Sequence, residues 1–111
     1  MMQIIMMNQI RFYVARNGKK PFVHWIESIK DVKARYRIKE RLDRLRLGNF
    51  GDHKFVSEGV YELRLDFGSG YRIYFGKEGN KIILLLCGGN KASQRKDIKK
   101  AIVYWKDYLS R

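Results

Sequence analysis

The chain has 111 residues, 45% hydrophobic and 32% charged, with 24 Lys plus Arg against 11 Asp plus Glu. That length fits one domain spanning 1–111, and a near-average apolar fraction with a single proline excludes a disordered chain. The longest uninterrupted apolar run, Ile82 to Cys87, is far short of the roughly 20 residues that cross a bilayer. Met1 to Met7 lacks a basic n-region and a small-residue cleavage site, so a signal peptide is not expected. One cysteine makes no internal disulfide and holds no metal alone. The expectation is a soluble, cytoplasmic protein. A formal net charge of +13 exceeds what solubility needs and suits a polyanion, nucleic acid first. The excess is spread out: residues 1–50 carry 12 basic and 4 acidic side chains, residues 51–111 carry 12 and 7. The positive surface therefore belongs to the folded domain rather than to a tail.

In chain order, Ile10, Phe12 and Val14 alternate with Arg11 and Tyr13, the period of a half-buried strand. Asn17 to Lys20 is a turn, and Pro21 suits the first position of a helix bearing Phe22, Trp25, Ile26 and Ile29. Asp31 caps a second helix whose stripe is Val32, Ile38, Leu42 and Leu45 and whose stop is Gly48. Its other face holds Lys33, Arg35, Arg37, Lys39, Arg41 and Arg44. Asn49 to Asp52 is a loop.

The second half predicts sheet. Tyr61, Leu63, Leu65 and Phe67 share one strand face, with Glu62, Arg64 and Asp66 opposite. After a turn at Gly68-Ser69-Gly70, Tyr71, Ile73 and Phe75 face the core, with Arg72 and Tyr74 away from it. Ile82 to Cys87 suits a central strand covered on both faces. Ser93 is placed to cap a last helix with Ile98, Ala101, Ile102, Trp105 and Leu109 inward and Lys96, Lys99, Lys100 and Lys106 outward. The class is α+β: two N-terminal helices, an antiparallel-dominated sheet of four or five strands, and one C-terminal helix, the helices packed on one sheet face.

Neither glycine-rich segment has the spacing of a dinucleotide fingerprint or a P-loop. His24 and His53 are too isolated for a metal cluster, and Cys87 ends an apolar strand as a small hydrophobe would. No cofactor is expected. The hairpin is more informative. A three-residue turn pairing Phe67 with Tyr71 sets Asp66 opposite Arg72 and Arg64 opposite Tyr74. One reading is a solvated face with cross-strand ion pairs. The other makes Arg64 and Arg72 a phosphate clamp, with Tyr74 close enough to stack on a base. Because Arg72 points to the polar face, its removal is expected to open no core cavity and to leave the fold intact. Lys91 in the following loop and Lys54 before the strands are the further basic candidates.

The segments Arg46-Leu47-Gly48-Asn49-Phe50-Gly51-Asp52-His53-Lys54, Gly59-Val60-Tyr61-Glu62-Leu63-Arg64, Gly70-Tyr71-Arg72-Ile73-Tyr74-Phe75-Gly76 and Leu84 to Gln94 carry a resemblance. In order and spacing they resemble the RelE/ParE superfamily of bacterial toxins, in its HigB-like, phage-derived addiction module killer branch. The resemblance covers most of the chain from about Phe12 onward. It implies a RelE-like fold, a helix-turn-helix antitoxin as partner, and in many members a ribosome-dependent endoribonuclease that cuts mRNA. It also implies metal-free chemistry in which the RNA 2′-OH attacks its own phosphate. By position, Arg72, Lys91, Arg64 and Lys54 become catalytic candidates. Tyr74, Lys96, Lys99 and His53 become RNA-binding candidates. The chain departs from better-studied ribonuclease members where they carry a late Tyr or His: Asp97 lies there, and the nearest tyrosine is Tyr104. The acid and base stay open among Lys91, Lys54 and His53. A ParE-type toxin that binds DNA gyrase, or a plain nucleic-acid-binding module, is the competing reading.

Overall fold

The computed structural model describes residues 7–111; the expectation for the N-terminal stretch from Met1 falls, but for Met7, outside the described residues. The elements are β1 (Gln9–Phe12), α1 (Pro21–Ser28), α2 (Val32–Arg46), β2 (His53–Ser57), β3 (Val60–Leu65), β4 (Tyr71–Glu78), β5 (Ile82–Gly89) and α3 (Gln94–Leu109). The five strands form one mixed sheet in the order β1-β5-β4-β3-β2. β1 runs parallel to β5, while the other three neighbouring pairs are antiparallel. A parallel pair needs a long crossover, which the chain between β1 and β5 supplies. The class is α+β. Among the described residues no helix is long and apolar enough to cross a membrane.

The local signals act as elementary chemistry requires. Pro21 occupies the first turn of α1, where its missing N–H costs nothing. The Asp31 carboxylate accepts hydrogen bonds from the backbone N–H of Lys33 and Ala34, satisfying two of the four orphan donors of α2. Gly48 follows with a φ of +88°, the left-handed residue that ends the helix. Two side chains of α2 differ from expectation. Val32 is exposed, and Ala34 takes its place beside Ile38 and Leu45 because these three share one helical face. Arg41 is half-buried rather than outward: its guanidinium donates to the carbonyls of Phe50, Asp52 and Arg64, tying the loop before β2 to β3.

The helices cover both sheet faces, not one. On the first face, Phe22 of α1, Ile29 just after it, and Ala34, Ile38 and Leu45 of α2 pack on Leu63, Leu65, Ile73, Phe75, Ile83 and Leu85. On the second, Ala101 and Trp105 of α3 pack on Val60, Tyr74, Leu84, Leu86 and Cys87. The cause is β5, whose successive apolar residues point both ways and demand cover on both sides. Gly59 and Gly76 make room for Trp105, whose indole occupies the space a side chain at either would need. The ends of the first strand segment also differ from expectation. Phe12 and Val14 are exposed, while Tyr13 is buried in the second core and stacks on Tyr104 at 4.9 Å.

The β3–β4 register is offset by two residues from the expected one. Leu65 faces Tyr71, Arg64 faces Arg72 and Glu62 faces Tyr74. The connection is five residues, Asp66 to Gly70, closed by the Gly70 N–H on the Phe67 carbonyl at 3.1 Å. Phe67 leaves the ladder because its ring takes up Tyr71 and the Arg37 guanidinium, 5.0 Å from its centroid. β2 and β3 are joined through Glu58 and Gly59, with φ of 47° and 86°, the positive values a tight hairpin turn needs.

The C-terminal half of α3 is tied to the first strand segment by Asp107. Its carboxylate accepts from the Tyr13 hydroxyl at 2.6 Å and from Arg16 at 2.7 Å. These hydrogen bonds, with a smaller one from Arg111, hold its pKa at about 2. An unfolded aspartate titrates near 3.9. The lowered folded value means that this contribution is complete above the unfolded pKa and lost as pH falls toward about 2. Thermal melts of wild type and Asp107→Asn are expected to differ by a constant gap from pH 5 to 7 that narrows between pH 4 and 2. A pH-independent gap would contradict this assignment.

Candidate anion-binding active site

The α3-facing side of β2, β3 and β4 carries a charged cluster laid out by the ladder. Lys54 faces Glu62 across β2–β3, and Arg64 faces Arg72 across β3–β4, so all four side chains share one face. Glu62 is 0% exposed. The Arg72 Nε lies 2.6 Å from its Oε1, the Arg64 Nε 3.6 Å from Oε1, and the Lys54 Nζ 3.8 Å from Oε2. Gln94, the first residue of α3, donates to Oε1 at 3.0 Å. Burying a lone carboxylate costs several kcal/mol, which these cations and the amide offset. The attraction is one of charge more than of aligned hydrogen bonds, because the Arg72 and Arg64 Nε–H groups do not point at the carboxylate and Oε2 accepts no bond. One carboxylate thus gathers three cations and leaves a net positive site.

The cations are graded in exposure. Arg72 is nearly enclosed at 11%, Arg64 is 38% exposed and Lys54 51%. Arg72 is further fixed by its Nη1 donating to the Gly70 carbonyl at 3.1 Å. Lys91 is exposed in the loop after β5, where its backbone N–H meets the Ser69 carbonyl at 3.4 Å. A Cβ placed on Gly70 would lie 3.4 Å from the Lys91 Cβ and 3.6 Å from the Arg72 Nη1, so Lys91 emerges beside the Arg72 guanidinium. The sheet order therefore sets out Lys91 after β5, Arg72 on β4, Arg64 on β3 and Lys54 on β2.

The other candidates are placed differently. Tyr74 is completely buried among Val60, Leu84, Leu86 and Trp105, so its ring meets no base. Burial and the nearby Glu62 and Asp97 charges push its phenol well above the usual range. Strand alternation marked it as a polar-face residue, but α3 covers that part of the face. His53 pairs with Leu63 and so falls on the opposite sheet face from the cluster, its ring beside Phe50 and its Nδ1 at the Gly51 carbonyl. Lys96 and Lys99 are exposed on α3 and enter no ion pair among those of the described residues. Ser93 precedes α3 without capping it; its hydroxyl donates to the Asp97 carboxylate instead. Gln94 gave no sequence signal as a site residue, and Glu62 gave only its alternation with Arg64.

The expectation that Arg72 can be removed without harm to the fold also changes. With Arg72 nearly enclosed over a fully buried carboxylate, its removal strands a charge. Arg72→Ala is expected to destabilise the fold by about 3–5 kcal/mol in urea unfolding. Arg72→Ala combined with Glu62→Gln is expected to recover part of that loss, a coupling of at least about 0.5 kcal/mol. Additive costs would show that the pair is not the contact described.

Among known proteins, no family model matches the chain. A protein of Haemophilus influenzae, named only as an uncharacterized protein, is 46% identical over 80 residues, 72% of this chain and 81% of that one. With that identity over most of both lengths, the chain belongs to the same family as the Haemophilus influenzae protein.

Proposed function

We propose that the protein is the toxin of a type II toxin–antitoxin system, a HigB-like member of the RelE/ParE superfamily, and a cytoplasmic endoribonuclease that cuts mRNA on the ribosome. The observation that carries this reading is Arg72, Arg64 and Lys54 gathered by the buried Glu62 on one sheet face, with Lys91 emerging beside Arg72 from the loop after β5. The same residues sit in the segments on which the resemblance rests. The basic balance of +13 suits an RNA-rich target.

Cleavage needs no metal in this scheme. The RNA 2′-oxygen attacks the adjacent phosphorus, gives up its proton, and forms a bond to phosphorus as the bond to the 5′-oxygen breaks. The products are a 2′,3′-cyclic phosphate and a 5′-hydroxyl. Negative charge grows on the phosphoryl oxygens, and guanidinium, permanently charged and forked, stabilises it better there than in the ground state. Arg72, pinned by Glu62 and the Gly70 carbonyl, is held ready for that contact, while Arg64 is freer to close on it. Lys91 and Lys54 flank the arginines and are the groups in position to exchange protons with the 2′- and 5′-oxygens. The antitoxin is expected to be a helix-turn-helix protein with an acidic segment over this face, in a complex that weakens with salt but persists.

Two outcomes follow. Expressed without an antitoxin, the protein is expected to lower amino-acid incorporation before thymidine incorporation in pulse labelling. DNA synthesis stopping first, with mRNA intact, would favour the gyrase reading. In a translating extract, Arg64→Ala is expected to slow reporter mRNA cleavage about 100- to 1000-fold while keeping its stability, because Arg64 sits at the rim and 3.6 Å from Glu62. Wild-type cleavage by this variant would remove Arg64 from the site.

A further inference from the structure

A roomy cleft lies outside the arginine cluster, on the other side of β5. It encloses about 840 Å³ between the start of α1, the Cys87–Asn90 end of β5 and the first turns of α3. That is ample for a mononucleotide. Gly88 and Gly89 line it, and two side chains pack closely on them. The Trp25 indole occupies the space a Gly88 side chain would need, and the Asp97 carboxylate the space of one at Gly89. Asp97 is 8% exposed, yet its carboxylate takes a single hydrogen bond among the described residues, from Ser93 to Oδ2. Oδ1 takes none among the described residues. Lys19, Lys20 and Lys100 rim the same cleft.

These features ask for one kind of ligand. An aromatic wall suits a flat heterocycle, three lysines suit a phosphate, and an enclosed carboxylate with free acceptor capacity suits a ring edge that presents N–H groups. A plain anion would be repelled by Asp97, and a plain apolar ligand would leave the lysines unused. Among the bases, guanine alone carries two adjacent donors, N1–H and N2–H₂, on its Watson–Crick edge. Gly89 pairs with Arg72 across β4–β5, so the backbone at the cleft lies one strand spacing, about 5 Å, from the backbone that carries Arg72.

We propose that this cleft is a base-reading subsite that holds a guanine nucleotide of the RNA strand adjoining the one at Arg72, with Asp97 accepting from the base, Trp25 beside its ring and the lysines on its phosphate. The assignment of the ligand to an RNA strand rests on the nuclease reading; the base site itself is testable without cleavage.

The test is calorimetric titration of the intact protein with the 5′-monophosphates GMP, AMP, CMP and UMP. GMP is expected to bind at least about fivefold more tightly than the others, as a carboxylate reading two donors would give. Asp97→Asn is expected to abolish the preference, and Lys19→Ala with Lys20→Ala to weaken all four alike. If Asp97→Asn fails to fold by circular dichroism, the wild-type ranking and the lysine variants decide. Equal binding of all four, or none, overturns the proposal. A protein that prefers GMP but cuts no RNA keeps the subsite and loses the nuclease reading. One that cuts RNA without preferring GMP loses the subsite alone.

Discussion

A carboxylate with no solvent exposure sits under the most basic part of a sheet, and much of the site follows from it. Glu62 is on β3, whose neighbours deliver Lys54 from one side and Arg72 from the other, while Arg64 lies two residues along the same strand. Three like charges brought to one face would repel each other and spread into solvent. The buried negative charge reverses that balance by attracting all three. Its burial in turn depends on α3, whose first residue Gln94 donates to it and whose Trp105 can settle only because positions 59 and 76 are glycine. Packing of one helix and charge organisation of the site are therefore linked.

Covering both sheet faces has a second consequence. α1 and α2 are spent on the first face, leaving α3 alone on the second. One helix spans only part of a five-stranded sheet, so β2, β3 and β4 keep an open polar region beyond the start of α3. The charged row stands there, and the Gly88–Gly89 cleft opens on the other side of the same helix start. A single short segment, from Cys87 to Asp97, thus borders both.

Some of this was legible in the sequence. Pro21, Asp31 and Gly48 each act through the chain immediately around them, so their roles could be read locally. The apolar run at Ile82 to Cys87 marked a strand buried on both sides, although the one-face helix arrangement drawn alongside it did not honour that demand. Arg64 and Arg72 shared one face by strand periodicity alone, whereas Lys54, expected before the strands, joins them because His53–Ser57 forms β2 and pairs it with Glu62. The register was not legible, because it depends on Phe67 leaving the ladder for Arg37 on a distant helix. Tyr13 and Tyr74 were misassigned to solvent because alternation identifies two faces without saying how far a helix covers each. Glu62 was hidden for the same reason: a charged residue on a polar face is normally exposed, and only the docking of α3 seals this one.

On the proposed nuclease reading, Glu62 acts by arranging cations, not by lowering the charge of the face. The two roles have opposite consequences when the charge alone is removed. Glu62→Gln keeps the shape and adds one unit of positive charge, so a site that works by net attraction would bind RNA more tightly and cut at least as fast. The decisive measurement is RNA affinity and single-turnover cleavage for folded Glu62→Gln beside wild type. Equal or tighter binding with cleavage slowed at least about tenfold is predicted, and cleavage at or above the wild-type rate would contradict it.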